Sequence, residues 1–143
     1  MNKSIDSFNI RVYALIIEND NILISKELIK GEIVLKFPGG GVEHGEGIID
    51  ALQREANEEL SQELEEISHF YTTEFFQESS FRKSDQLISI YYTAKLSTFL
   101  LNKVNKPIKD QPLFIWKKIQ ELKKEDLHFP IDKKVLEMLR ESN

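Results

Sequence analysis

The chain has 143 residues, 41% hydrophobic and 30% charged, with no cysteine, which suits one globular core and excludes disulfides, thiolate metal sites and a cysteine nucleophile. Its formal charge of −5 and the lack of a basic stripe, with only short pairs such as Arg82-Lys83 and Lys117-Lys118, argue against a nucleic-acid surface. No apolar run reaches the length of a helical membrane span, and the start lacks the apolar core of a signal peptide; with the missing thiols this fits a reducing cytoplasm.

From about Phe8, "FNIRVYALIIEND" alternates and then turns wholly apolar, the pattern of a strand that ends buried. Asn19 to Asn21 carry turn chemistry, so "NILISKEL" is expected to fold back as the second strand of a hairpin. "EIVLKF" is a short third strand that runs into a loop at Pro38-Gly39-Gly40-Gly41. From Gly47 the period changes: Ile49, Leu52, Ala56 and Leu60 make one apolar helix face. "EISHFYTTEFFQE" reads as a long strand, "SSFRKSD" as a polar loop and "QLISIYYTAKL" as another strand. Leu101 to Pro112 is an expected loop, "LFIWKK" a strand, and Pro130 opens a final helix with Val135, Leu136 and Leu139 on one side. This order predicts an α/β (α+β) domain with both helices packed on a sheet. Phe75, Phe76, Tyr91, Tyr92 and Trp116 are expected in the core.

The chemistry concentrates in the first helix. Glu55, Glu58 and Glu59 stand at i, i+3 and i+4, so their carboxylates project from one side. Like charges at that spacing repel unless solvent or a cation compensates. Hard divalent cations take oxygen ligands and complete their shells with water and phosphate, so a metal site competes with a plain solvated face.

The surrounding residues sharpen the choice. Gly40, five residues, Glu46, seven residues, then Arg54-Glu55-Ala56-Asn57-Glu58-Glu59 resembles the signature box of the Nudix hydrolases, in which the arginine, the acidic cluster and the preceding glycine loop are spaced this way. Two positions depart: Ser61 stands where the box has glycine and Gln62 where it has an apolar residue. Without that glycine the helix has room to run on through "SQELEE".

The resemblance implies a Nudix-type α/β/α sandwich, a mixed sheet between helices, with residues 1–143 as a single domain. It implies hydrolysis of a nucleoside diphosphate linked to another moiety, such as a nucleoside triphosphate or nucleotide sugar, by water attack on phosphorus with Mg²⁺ or Mn²⁺. Carried onto this chain, Glu55, Glu58 and Glu59 are the metal ligands, with the Gly39 carbonyl a further one, and Glu46 and Arg54 pair to brace loop against helix. Gly39, Gly40 and Gly41 let the backbone approach phosphates and metal, and Lys26 ends the second strand where similar enzymes place a phosphate-binding cation. Glu55 also activates water in some relatives; in others the base comes from a distant loop, for which Glu78, Asp85 and Asp110 are candidates, Asp110 also as an added metal ligand.

Arg11, Arg82, Lys83 and His44 could each meet a ligand, and Phe129 and Asp132 occupy a region that contacts the base in some relatives. The partner is thus a small nucleotide-like diphosphate, with no nucleic acid and no membrane; a homodimer is left open. The alternative is a Nudix-fold nucleotide sensor without catalysis. An RNA 5′-end activity is disfavoured by the acidic balance, and the isomerase branch by the missing cysteine.

Overall fold

The computed structural model describes residues 4–98 and 111–142. Strand β1 (Ser7–Glu18) turns through Asn19 and Asp20 into β2 (Asn21–Ile29). Both turn residues have positive φ, 48° and 68°, the conformation that matches strand twist in a two-residue hairpin. β3 (Glu32–Lys36) follows, then β4 (Gly39–Gly41), helix α1 (Ile48–Leu60), β5 (Leu64–Thr72), β6 (Asp85–Leu96), β7 (Leu113–Lys118) and helix α2 (Pro130–Glu141). Among the described residues no helix is long and apolar enough to cross a membrane.

β1 organises the sheet. It runs parallel to β6 from Ser7↔Asp85 to Ile16↔Ala94, while its last residues pair antiparallel with β2. β2 is flanked by β3 and β7, and β5 closes the far side against β6. Strand alternation then sends β1 side chains to two cores. Val12, Ala14 and Ile16 pack with Leu23, Ala51, Leu52, Ala56 and Leu60 under α1. Tyr13, Leu15, Ile22 and Ile24 pack with Val135, Leu136 and Leu139 under α2. The result is the expected α/β/α sandwich around a mixed sheet.

Four local expectations need correction. The glycine run is a strand, not a loop: β4 pairs antiparallel with β1 through Arg11↔Gly41, Val12↔Gly40 and Tyr13↔Gly39, because β1 offers an open edge beyond its short pairing with β2. Helix α1 stops at Leu60, where Ser61 adopts the left-handed conformation (φ 58°) and its N–H bonds the Asn57 carbonyl at 3.2 Å; it ends the helix as the missing glycine would. Ile49 is exposed and Ala51 takes the buried position, since the helix face turns slightly from the four-residue spacing. The fifth strand ends at Thr72, which leaves Phe75 and Phe76 on the surface rather than in the core.

Candidate active site

Arg54 is the hub where helix meets glycine strand. Its Nε donates to Glu46 Oε2 at 2.6 Å and its Nη2 to Glu46 Oε1 at 3.0 Å, a bidentate pair. Nη2 also donates to the Gly41 carbonyl at 2.9 Å, and Nη1 lies 3.3 Å from both Glu55 Oε2 and Glu58 Oε1. The hydrogen bonds to Glu46 hold the guanidinium pKa above its ordinary value and pull the Glu46 carboxyl below its own. The Glu43 N–H also donates to Glu46, at 2.9 Å, so one arginine ties the Glu43–Gly47 loop, β4 and α1 together.

That clamp lays Glu55 against the glycine strand. A Cβ on Gly40 would collide with the Glu55 carboxylate, so only a residue without a side chain allows this approach. Burial pushes the Glu55 carboxyl up, and Arg54 opposes the rise. Glu59, one turn on, is half-buried and makes no hydrogen bond or ion pair among the described residues. Burial lifts its pKa to about 7; nearby Lys36 opposes this, and Glu55, Glu27 and Glu58 add to it. Glu58 is the open member, its side chain 57% exposed.

The donor set fits a hard cation. Its groups are carboxylate oxygens with one backbone carbonyl near by, and one of the carboxylates is desolvated without a partner. As the side chains stand, no three acidic or histidine groups among the described residues are gathered closely enough to hold an ion. Arg54 holds Glu58 Oε1 at 3.3 Å, while Glu59 has no such partner among the described residues.

On the α2 face of β1 lies a cleft open to solvent. Asn9, Arg11 and Tyr13 from β1, Ser89 from β6, Phe81 and Asp132 are among the residues lining it. Arg11 donates from Nε to the Tyr13 hydroxyl at 2.7 Å, and its two Nη groups have no hydrogen-bond or ion-pair partner among the described residues. It stands opposite Gly41 in the ladder, so it joins this cleft to the glycine strand. At the cleft floor Asp132 is fully buried, accepts from the Tyr91 hydroxyl at 2.6 Å and from the Phe37 N–H at 3.4 Å, and is pushed by burial to a pKa of about 6. Phe81 meets Phe129 edge to face at 5.7 Å.

A family model described as the NUDIX domain matches residues 8–139. The chain belongs to the NUDIX domain family. It is accordingly a hydrolase acting on phosphorus-containing acid anhydrides, and members of this family generally use divalent metal ions and small nucleotide-like substrates. Among solved structures it is similar to a NUDIX hydrolase from Nitrosomonas europaea (21% identity, TM-score 0.75, covering 94% of this chain and 90% of that one). It is also similar to a MutT protein from Bacillus halodurans (17%, 0.69, 91% and 80%) and a MutT NUDIX hydrolase from Burkholderia pseudomallei (20%, 0.66, 92% and 97%). No curated protein matches the chain.

Seen as a NUDIX site, the structure brings together Glu46, Arg54, Glu55, Glu59 and the three glycines, with Glu58 at the rim. It does not bring Lys26 there. Alternation along β2 puts Lys26 on the face opposite Ser25 and Glu27, and the cation that reaches the carboxylates is Lys36. Asp85 is occupied elsewhere: it accepts from the Ser7 hydroxyl at 2.5 Å and sits at the β1–β6 start. Glu78 bridges Gln86 at that same end. Asp110 lies outside the described residues. Sequence reasoning missed Lys36 and Glu27. Their signal was a polar residue at an inward strand position, since Lys36 shares its face with buried Val34.

Proposed function

We propose that this chain, acting as one NUDIX domain over residues 1–143, is a Mg²⁺- or Mn²⁺-dependent pyrophosphohydrolase. Its substrate would be a nucleoside diphosphate linked to another moiety, as in a nucleoside triphosphate or nucleotide sugar. The observation that carries the reading is Glu55, a desolvated carboxylate clamped against a side-chain-free strand by the Arg54–Glu46 pair, beside a cleft that Arg11 connects to it.

Glu55, Glu58, Glu59 and the Gly39 carbonyl would hold the metal. When bound, the ion would polarise the phosphoryl oxygens and make water more acidic. Glu55 has the raised pKa of a group that takes a proton from the attacking water; Asp85 is paired with the Ser7 hydroxyl instead. The water oxygen bonds to phosphorus, the bridging P–O bond breaks, and two phosphorylated products leave. Gly40 and Gly41 leave room for the phosphates, the open Nη groups of Arg11 offer them hydrogen bonds, and the cleft takes the remaining part of the substrate.

A panel of nucleoside triphosphates, oxidised deoxynucleotides, nucleotide sugars, ADP-ribose and NADH, each with Mg²⁺ and with Mn²⁺, tests the reading by product release. At least one should turn over and stop when the metal is chelated. Nucleotide binding without turnover of any of them would assign the chain to the sensor class instead.

A further inference from the structure

Lys36 is a charged side chain in an enclosed place, its side chain only 4% exposed. Its Nζ donates to the Phe37 carbonyl at 3.2 Å and to the Gly39 carbonyl at 3.4 Å, and pairs with Glu27 Oε2 at 3.0 Å. The Ser25 hydroxyl fixes the same Glu27 oxygen at 2.8 Å. Below the ammonium is the Tyr13 ring, 5.5 Å to its centroid. A buried lysine costs several kcal/mol of desolvation unless it is paired, so this arrangement is built rather than incidental. Nothing in the proposed hydrolysis uses it.

Its field reaches the acidic cluster. Gly39, whose carbonyl it contacts, lines the same depression as Glu55 and Glu59, so the ammonium stands beside the carboxylates with a charge opposite to theirs. Glu27 pushes Glu59 the other way. The pair therefore sets the charge balance next to the carboxylates, with one member of each sign.

We propose that Lys36 is a positioning residue that, held by Glu27, acts as a resident cation beside the carboxylate cluster, holding the Gly39 carbonyl before a divalent ion arrives and keeping metal affinity moderate. The proposal rests on the metal-dependent reading above. Charge in this place competes with an incoming ion. Removing Lys36 exposes the cluster to an extra uncompensated carboxylate and must tighten metal binding; removing the charge of Glu27 must loosen it. A purely structural lysine gives no such reversal of sign, because loss of either partner would loosen the site or leave it alone.

The test is Mn²⁺ binding, without nucleotide, read by electron paramagnetic resonance on wild type, K36M and E27Q, with circular dichroism to confirm the fold. K36M should bind Mn²⁺ about three- to tenfold more tightly and E27Q weaker by a similar factor, the size expected of one unit charge at about 4 Å screened as strongly as in bulk water. The double variant should return close to wild type. Should K36M fail to fold, E27Q alone decides, since unchanged or tighter binding overturns the proposal. Looser or unchanged binding in a folded K36M overturns it equally. A wild type that binds no Mn²⁺ overturns the metal-dependent reading along with it, which separates the two failures.

Discussion

Arg54 and Glu46 meet through two parallel hydrogen bonds, 2.6 and 3.0 Å, which join α1 to the loop before it. The geometry is that of a planar fork on a carboxylate, which an ammonium cannot copy. Arg54→Lys would keep the charge, lose the second bond to Glu46 and lose the bond to the Gly41 carbonyl. Glu55 would then be free to drift from Gly40. Since misplacement of about 1 Å can cost on the order of 10²-fold in rate, kcat/KM should fall by about 10- to 100-fold, and Glu46→Gln should fall less because it keeps one acceptor. Steady-state kinetics beside a thermal melt check this; a lysine variant with full activity would show the clamp to be decorative.

Glu58 makes the opposite kind of contribution. It is exposed, and among the described residues its one hydrogen-bond and ion-pair partner is Arg54, at 3.3 Å, so its removal should hardly move the melting midpoint. As a proposed metal ligand it should matter far more for turnover. Loss of even an outer-shell partner typically costs 10- to 100-fold in affinity or activity, and Glu58→Gln is expected to lose about 100-fold or more in kcat at saturating Mg²⁺. Turnover near the wild-type level with an unchanged melt would remove Glu58 from the metal site.

Much of this was readable in advance for a physical reason: the box is a local pattern, and local spacing decides which side chains share a helix face. Glu46, Arg54 and Glu55 lie within ten residues, and their meeting needs only one turn between strand and helix. The parts that were not readable depend on pairing across the chain. Whether Gly39–Gly41 forms a strand depends on the open edge of β1, some thirty residues earlier. Lys26 and Lys36 look alike in sequence, and only strand register says which one faces the carboxylates. The aromatic run fooled composition because Phe75 and Phe76 fall after β5 ends.

Ser61 offers a test of the helix end alone. A non-glycine residue in the left-handed region costs about 1–2 kcal/mol relative to its right-handed preference, and Ser61 sits there at φ 58°. Ser61→Gly restores the residue that the box expects. It should raise stability by up to about 1 kcal/mol, the gain being trimmed by the extra freedom of glycine in the unfolded chain. Chemical denaturation with an unchanged slope would report it, and kcat should not move. A loss of stability would mean that the turn relies on the serine side chain.

The metal-free protein should also lose stability as pH rises, because Glu59 holds its proton too long. Burial raises its pKa from an ordinary 4.5 to about 7. Between those values the folded chain binds a proton that the unfolded chain has released, so the contribution is fully present below about pH 4.5 and is lost as pH climbs through about 7. Asp132, raised from 3.8 to about 6, pulls the same way over a lower window. Glu59→Gln removes the first effect and leaves the second. In the presence of a chelator, denaturation midpoints at pH 5 and pH 8 should therefore fall more steeply for wild type than for the glutamine variant, and the variant should be the more stable of the two at pH 8. Adding Mg²⁺ at pH 8 should raise the wild type more than the variant, because the variant lacks one of the carboxylates that would receive the cation. Parallel pH curves for the two proteins would place Glu59 in open solvent.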